Sequence, residues 1–235
     1  MKKNEIKEVM NPTRPIESSL KEAFNGENFT PEIKKDIIEH EQYMKQFEAR
    51  ALERPCYKDH ASMLRFLKNN IDPVLKDVED VDRYHNVLEK TLSNQRDSAR
   101  GFFAELVNAY RAHKAGFKIL ALDKYAYSKS GQRTDIDLYV ETPGGKRAII
   151  ENKDVRSGIA LDKSTKRKMG LFSHDLYDKN GELVKKDAAV FINSKGISKN
   201  ALDYANDKDL HVKENMDGRA RERYYKNLIA KLDSE

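Results

Sequence analysis

Residues 134–153 read TDIDLYVETPGGKRAIIENK, the pattern of two strands joined by a tight turn at Pro143-Gly144-Gly145. In the first strand apolar residues alternate with polar ones, which is typical of a strand with one buried face. If Thr142 pairs with Lys146 across a three-residue loop, Leu138 lies opposite Ile150. Apolar side chains then meet on one face of the hairpin, and this register fixes what meets on the other face.

Two carboxylates come together on that other face. Asp137 lies opposite Glu151 in the same register, and directly opposed side chains are roughly 5 Å apart at Cβ. Carboxylates at this separation repel each other unless a cation joins them, so the pattern predicts a divalent-metal site. Lys153 lies two residues beyond Glu151 on the same face and would place an ammonium group beside the metal.

The segments around this hairpin resemble the PD-(D/E)xK nuclease superfamily, which has the restriction-endonuclease-like fold. The resemblance covers Ser98 to Ser198, where a helix, three strands, a further helix and a closing strand follow one another. It implies an α/β fold with an α-β-β-β-α-β core and a mixed central sheet. The chain departs from the family pattern in one respect, because no proline precedes Asp137. Many members resemble this form.

The resemblance implies hydrolysis of a phosphodiester with Mg²⁺ or Mn²⁺ as cofactor. Asp137 and Glu151 would hold the metal, with the backbone carbonyl of Asn152 as a further ligand. Lys153 would orient or deprotonate the attacking water. Glu105, on the helix before the first strand, would complete a second metal position or support the ligands from outside. A DNA endonuclease is the first expectation, because DNA is the usual substrate of the family.

Simpler structural roles are open for the same residues. Glu151 and Lys153 could protect the edge of an exposed hairpin, because glutamate and lysine are common on edge strands. Glu105 lies on or beside the packed face of its helix. There it could pair with a nearby lysine or arginine instead of serving a metal.

A basic cluster follows the second strand of the hairpin, made of Lys163, Lys166, Arg167 and Lys168. Basic side chains beside a metal and carboxylates are suited to position a phosphate backbone. The alternative is a solvated helix or loop face. The net charge of +5, with 44 basic residues, also suits a polyanionic partner.

The composition restricts other classes of function. The chain of 235 residues has one cysteine, Cys56, which leaves no intrachain disulfide and no cysteine-based zinc site. The single cysteine and the lack of an apolar segment in MKKNEIKEVMNP predict a cytoplasmic protein without a signal peptide. No apolar stretch approaches the roughly 20 residues that cross a bilayer, so no membrane partner is expected. A P-loop, a dinucleotide fingerprint and an HExxH motif are also missing from the sequence.

Residues 1–95 have helical patterns only, so we predict an all-helical N-terminal domain before a nuclease-like domain at 96–235. Thr30-Pro31-Glu32 predicts the start of a long helix, with an N-cap, a proline in the first turn and an acid near the positive end. The N-terminal domain could select the target, form a homodimer or bind an inhibitor protein, and the sequence does not decide among these.

Two other interpretations of function are open. The same fold occurs in RNases, including toxins that cut transfer RNA, and nothing in the sequence separates an RNA substrate from a DNA substrate. Alternatively, the protein binds nucleic acid without catalysis, and its carboxylates hold no metal.

Overall fold

The computed structural model describes residues 31–53, 60–75, 78–92, 95–153 and 159–235. The chain divides into two compact units, residues 1–44 and residues 45–235. The second unit holds the sheet and includes helices from both sides of residue 95, and the domain boundary between 95 and 96 stays a prediction. Cys56 lies outside the described residues. None of the helices described is both long and apolar enough to cross a membrane.

The fold is mixed α/β with a helical region before a mixed sheet, as predicted, and the sheet has six strands, two more than the expected core. The described helices are α1 (Pro31–Glu53), α2 (His60–Phe66), α3 (Asp72–Leu75), α4 (Val81–Thr91), α5 (Arg96–Ala115), α6 (Lys163–Phe172), α7 (Lys199–Asn206) and α8 (Gly218–Ser234). The strands are β1 (Lys118–Ser128), β2 (Arg133–Glu141), β3 (Arg147–Lys153), β4 (Leu176–Tyr177), β5 (Ala188–Asn193) and β6 (His211–Lys213).

Helix starts follow the sequence signals. Helix α1 begins at Pro31, as the pattern predicts, because proline lacks only an N–H that the first turn does not use. Helix α4 begins after Asp80, whose carboxylate accepts a hydrogen bond from the backbone N–H of Arg83. Helices α2 and α3 are joined without a break by a π-helical turn at Leu67–Ile71.

The strands of the sheet lie in the order β4-β1-β2-β3-β5-β6. Strands β1, β2 and β3 are antiparallel neighbours, whereas β3, β5 and β6 run parallel. The predicted hairpin register is confirmed, because Leu138 pairs with Ile150 and the N–H of Thr142 donates to the carbonyl of Lys146 at 2.8 Å. Gly145 closes this loop with a φ of +85°, a conformation that favours glycine.

Helices cover both faces of the sheet. Lys168 on α6 contacts Glu151, whereas Arg221 and Tyr225 on α8 contact the side chain of Asn152. Because neighbouring residues of a strand point to opposite faces, α6 and α8 lie on opposite faces of β3. Strand β5 is buried at all its positions, as expected for a strand covered on both sides. The β2–β3 pair is therefore inside a layered α/β core.

Candidate active site

The carboxylate of Asp137 is fixed at the end of the β2–β3 ladder. The paired positions end at Leu138 and Ile150, and beyond them the Asp137 Oδ2 atom accepts a hydrogen bond of 2.6 Å from the backbone N–H of Asn152. Asp137 is only 6% exposed. The Asp137 carboxylate thus takes the place of the next backbone carbonyl that would accept a hydrogen bond in the ladder. This hydrogen bond holds the carboxylate beside Glu151 on the neighbouring strand.

Glu151 is fully buried and lies between two lysines. Lys153 Nζ is 2.5 Å from its Oε1 atom, and Lys168 Nζ is 2.5 Å from its Oε2 atom. Each carboxylate oxygen of Glu151 thus has one ammonium group within hydrogen-bond distance. The ion pairs offset the cost of burying the charge, while the oxygens keep lone pairs for another ligand.

Strand β3 lies between β2 and β5 and is not at an edge of the sheet. Glu151 is 0% exposed, so it does not serve as a solvated charge on an edge strand. The edge-protection role that was open for Glu151 and Lys153 is therefore wrong. The physical reason is that the parallel strand β5 pairs with β3 and covers the edge that the hairpin alone would leave open.

Lys168 reaches the carboxylates from α6. Besides Glu151, its Nζ atom lies 3.1 Å from Asp135 Oδ2 and 3.9 Å from Asp137 Oδ1, and its side chain is 16% exposed. Burial acts to lower the pKa of Lys168, but the negative charges of Asp137 and Glu151 outweigh it and raise the pKa. Lys168 therefore stays cationic and bridges the carboxylates.

Lys153 is held in its cationic form by the same neighbours. Burial acts to lower its pKa and the charge of Glu151 acts to raise it, and the net shift of the Lys153 pKa is upward. A protonated ammonium cannot accept a proton from water. In this arrangement Lys153 is suited to hold the negative charge of a phosphate and to orient water.

The ionised forms of Asp137 and Glu105 are disfavoured by burial and by the neighbouring carboxylates. Burial raises the pKa of Asp137 well above its ordinary value, and the charge of Glu151 adds to the effect. Burial also raises the pKa of Glu105, and the negative charges of Asp137 and Asp123 raise it further. Glu105 has no ion pair or hydrogen-bond partner among the described residues. The structure thus brings Glu105 into the field of the two strand carboxylates.

Asn152 contributes its backbone to the site. Its N–H binds Asp137, but its side-chain Oδ1 lies on the other face of the sheet, 3.2 Å from Arg221 Nη1 and 3.4 Å from the Tyr225 hydroxyl. Burial raises the pKa of that tyrosine to about 12, so it remains a hydrogen-bond donor. This side-chain network anchors the end of β3 from the α8 side.

The chemistry of these donors fits a hard divalent cation. Among the residues that the structure describes, no group of three or more His, Cys, Asp or Glu side chains is placed to hold a metal. Mg²⁺ does not require such a group, because it is usually held by one or two carboxylates together with water and substrate phosphate. Asp137 and Glu151 supply two buried carboxylates, and each Glu151 oxygen keeps a lone pair besides the one that faces its lysine.

A second ionic cluster beside Glu105 was missed in the sequence. Asp123 lies within β1 with a φ of +49°, and its backbone carbonyl accepts a 2.8 Å hydrogen bond from Arg83 Nε. Its carboxylate pairs with the Arg83 guanidinium and, at 3.2 Å, with Lys90 Nζ. The available signals were an aspartate inside the apolar run of β1 and two cations seven residues apart on one face of α4.

The structure separates the predicted basic cluster. Lys168 lies among the carboxylates, whereas Lys163, Lys166 and Arg167 are exposed on another face of α6. Arg167 donates to the backbone carbonyl of Arg133 at 3.0 Å. One helix therefore supplies a buried cation to the site and exposed cations to a neighbouring surface.

We expect Glu105→Gln to keep or raise the melting temperature of metal-free protein at neutral pH. The substitution removes a charge that Asp137 and Asp123 repel. Since the pKa of Glu105 lies above its ordinary 4.5, the folded state binds more protons, and wild-type stability should fall as pH rises past that value. The variant should lose part of this dependence. Melting temperatures in EDTA at pH 5 and pH 8 test it, and a destabilised but fully active variant would remove Glu105 from the site.

Comparison with known proteins gives little further information. No family model matches the chain, and no curated protein matches it. A solved structure described as protein VC1899 from Vibrio cholerae is similar at 13% sequence identity with a TM-score of 0.33. The match covers 88% of this chain and 57% of that one, so the chain spans a little over half of the matched protein. A likeness at this level carries no argument about fold or function.

Proposed function

We propose that this chain is a metal-dependent nuclease of the PD-(D/E)xK superfamily, with a restriction-endonuclease-like fold. DNA is its favoured substrate. One observation carries the proposal. Asp137 and Glu151 are buried side by side on adjacent strands, with the Lys153 ammonium group against Glu151 and the Lys168 ammonium group near both carboxylates. Burying this many charges is expensive, which favours a functional role over a structural one.

The order of elements supports the same fold. Helix α5, strands β1 to β3, helix α6 and strand β5 follow one another as the family order requires, with the short β4 inserted before β5. The three antiparallel strands and the parallel β5 also make the mixed sheet expected of it. In this arrangement the aspartate and the Glu-x-Lys segment lie on neighbouring strands, where such nucleases need them.

The chemistry of the site follows from its own residues. Asp137 and Glu151, with the backbone carbonyl of Asn152, would hold Mg²⁺ or Mn²⁺, which supplies a Lewis acid and lowers the pKa of bound water. Lys153 holds the negative charge that builds up on the phosphate and orients the attacking water. Glu105 adds negative charge near these two carboxylates, which helps to attract a cation.

The proposal is tested by incubating the purified protein with supercoiled plasmid, single-stranded DNA and transfer RNA, each in Mg²⁺ and in EDTA. We expect Mg²⁺-dependent cleavage of at least one polynucleotide, with DNA as the favoured substrate. Transfer RNA as the only cleaved substrate would favour the RNase interpretation. No cleavage of any of the three, with nucleic-acid binding retained, would support a non-catalytic binding protein and contradict the nuclease.

The exposed cations of α6 give a further prediction. Replacing Lys163, Lys166 and Arg167 together by alanine should weaken nucleic-acid binding for all sequences alike. It should also flatten the dependence of log affinity on log salt, by roughly 0.7–0.9 for each phosphate that the variant no longer binds. The matched control replaces Arg223, Lys226 and Lys231, which are exposed on α8, and removes the same charge. An unchanged salt slope in the α6 variant, or an equal change in the control, would contradict a phosphate-binding role.

A further inference from the structure

A groove of about 740 Å³ lies along α6, the helix that carries Lys168, between that helix, the turn that joins β1 to β2, and two tyrosines. The described side chains that line it include four cations and one acid, Asp175. The cations are Lys129, Lys163, Lys166 and Arg167, and the aromatic residues are Tyr177 and Tyr204. The groove therefore combines positive charge with aromatic rings.

Helix α6 connects this groove to the carboxylates. Lys163, Lys166, Arg167 and Gly170 recur at three- and four-residue spacing and line the groove, so they form one face of the helix. Lys168 leaves the helix in another direction and reaches Glu151. Two hydrogen bonds join the helix to the start of β2, before Asp137. Arg167 donates to the backbone carbonyl of Arg133, and Lys168 donates to the carboxylate of Asp135. The same helix thus carries the groove cations on one face and the cation of the carboxylate site on another.

The Tyr204 ring is held in place along one wall. It packs against the hydrophobic core as a half-buried side chain. An added Cβ on Gly170 would lie only 3.4 Å from the Tyr204 hydroxyl, so the ring sits close over the helix backbone. Lys166 Nζ and Lys208 Nζ lie over the ring, 5.5 and 5.8 Å from its centroid, and both side chains are flexible. A base that stacks on the ring would displace one of these lysine side chains, whose ammonium group can then contact the phosphate of the same nucleotide.

This combination favours an unpaired nucleotide over a base-paired one. In a duplex the faces of the bases are stacked on their neighbours and closed to a side chain, whereas single strands stack their bases on aromatic residues and lay their phosphates along basic grooves. We propose that the groove binds an unpaired nucleotide of a single-stranded nucleic acid, through stacking on Tyr204 and phosphate contacts from α6. As a substrate preference this inference rests on the proposed nuclease function, but the binding itself does not require cleavage.

The test measures binding in EDTA, where metal-dependent cleavage is absent, so its result is independent of nuclease activity. Fluorescence anisotropy would compare 12-nucleotide oligo(dT) and oligo(U) with a 12-base-pair DNA duplex. Tyr204→Ala should weaken single-strand binding by roughly 5- to 100-fold, the range that removal of one stacked base allows. Tyr204→Phe keeps the ring and should bind like the wild type. Tyr204→Leu keeps an apolar side chain, which guards against a folding defect, and should bind as weakly as Tyr204→Ala.

A second readout separates stacking from charge. An oligonucleotide that carries 2-aminopurine should lose fluorescence on binding to the wild type and to Tyr204→Phe, and keep it with Tyr204→Leu. A preference between oligo(dT) and oligo(U) could come from the sugar or from the 5-methyl group of thymine, and oligo(dU), which differs from oligo(U) only in the sugar, separates the two. Unchanged single-strand affinity in Tyr204→Leu, or an equal decrease for the duplex, would overturn the proposal even if the protein cleaves DNA.

Discussion

Glu151→Gln should lower the rate of phosphodiester cleavage by at least about 100-fold, the scale on which one electrostatic group contributes to a preorganised site. Glutamine keeps the shape of the side chain but removes the charge that faces Lys153 and Lys168. Asp137→Asn and Lys153→Ala should be similarly inactive. Double variants should be little worse than single ones, because residues that act as a unit have non-additive effects.

Initial rates at saturating Mg²⁺ measure this effect, with thermal melting to confirm that each variant folds. The matched control is Glu141→Gln, which makes the same change in the same hairpin. Glu141 pairs with Arg147 at the far end of β2, 2.9 Å away, and has no contact with the carboxylate site in the described structure. It should cleave at the wild-type rate. Full activity in Glu151→Gln or Lys153→Ala would contradict the assignment of the site.

Lys168→Met should lower the free energy of unfolding by about 3 kcal/mol in metal-free protein, at the lower end of the range for breaking a buried ion pair. Methionine keeps the apolar stem of lysine but leaves Asp137 and Glu151 charged beside each other, with only Lys153 to offset them. A divalent cation can replace the missing positive charge. Mg²⁺ or Mn²⁺ should therefore raise the melting temperature of the variant more than that of the wild type.

The pH dependence of Lys168→Met follows from the same charges. Without Lys168 the pKa of Asp137, already raised by burial and by Glu151, rises further. The folded state then binds more protons than the unfolded state, so the variant regains stability as pH falls toward the ordinary aspartate value of about 3.9. Urea unfolding in EDTA at several pH values measures this.

Lys166→Met is the control for this stability effect. It makes the same substitution two residues away on α6, at an exposed position, and should change stability by no more than about 0.5 kcal/mol. An equally small decrease in Lys168→Met, without extra stabilisation by divalent ions, would contradict the account of Lys168 as the cation that holds the carboxylate pair together.

The hairpin and its carboxylate pair were predictable because strand geometry is local. Side chains alternate with a period of two, so a single anchor, the loop between Thr142 and Lys146, fixes every opposite pair along β2 and β3. Leu138 opposite Ile150 follows directly. The position of Asp137 beside Glu151 follows from the same parity, which is why the metal-binding hypothesis did not need a tertiary structure.

The cations of the site were harder to predict because they arrive from distant elements. Lys163, Lys166, Arg167 and Lys168 look alike in sequence, and only the rotation of α6 against the sheet decides which one meets Glu151. Pairs such as Arg83 with Asp123 join residues 40 positions apart. No sequence periodicity links the two members of such a pair, because their contact depends on how α4 packs against β1.

The most direct test of the carboxylate pair as a metal site is the binding of Mn²⁺ to metal-free protein, measured by calorimetry with and without an oligonucleotide. We expect binding in the wild type that is abolished in Glu151→Gln and in Asp137→Asn and retained in Glu141→Gln. Affinity should be higher in Lys168→Met, because the ammonium no longer competes for the same oxygens. Mn²⁺ binding that is absent, or that is unchanged by removal of either carboxylate, would contradict a metal-dependent nuclease.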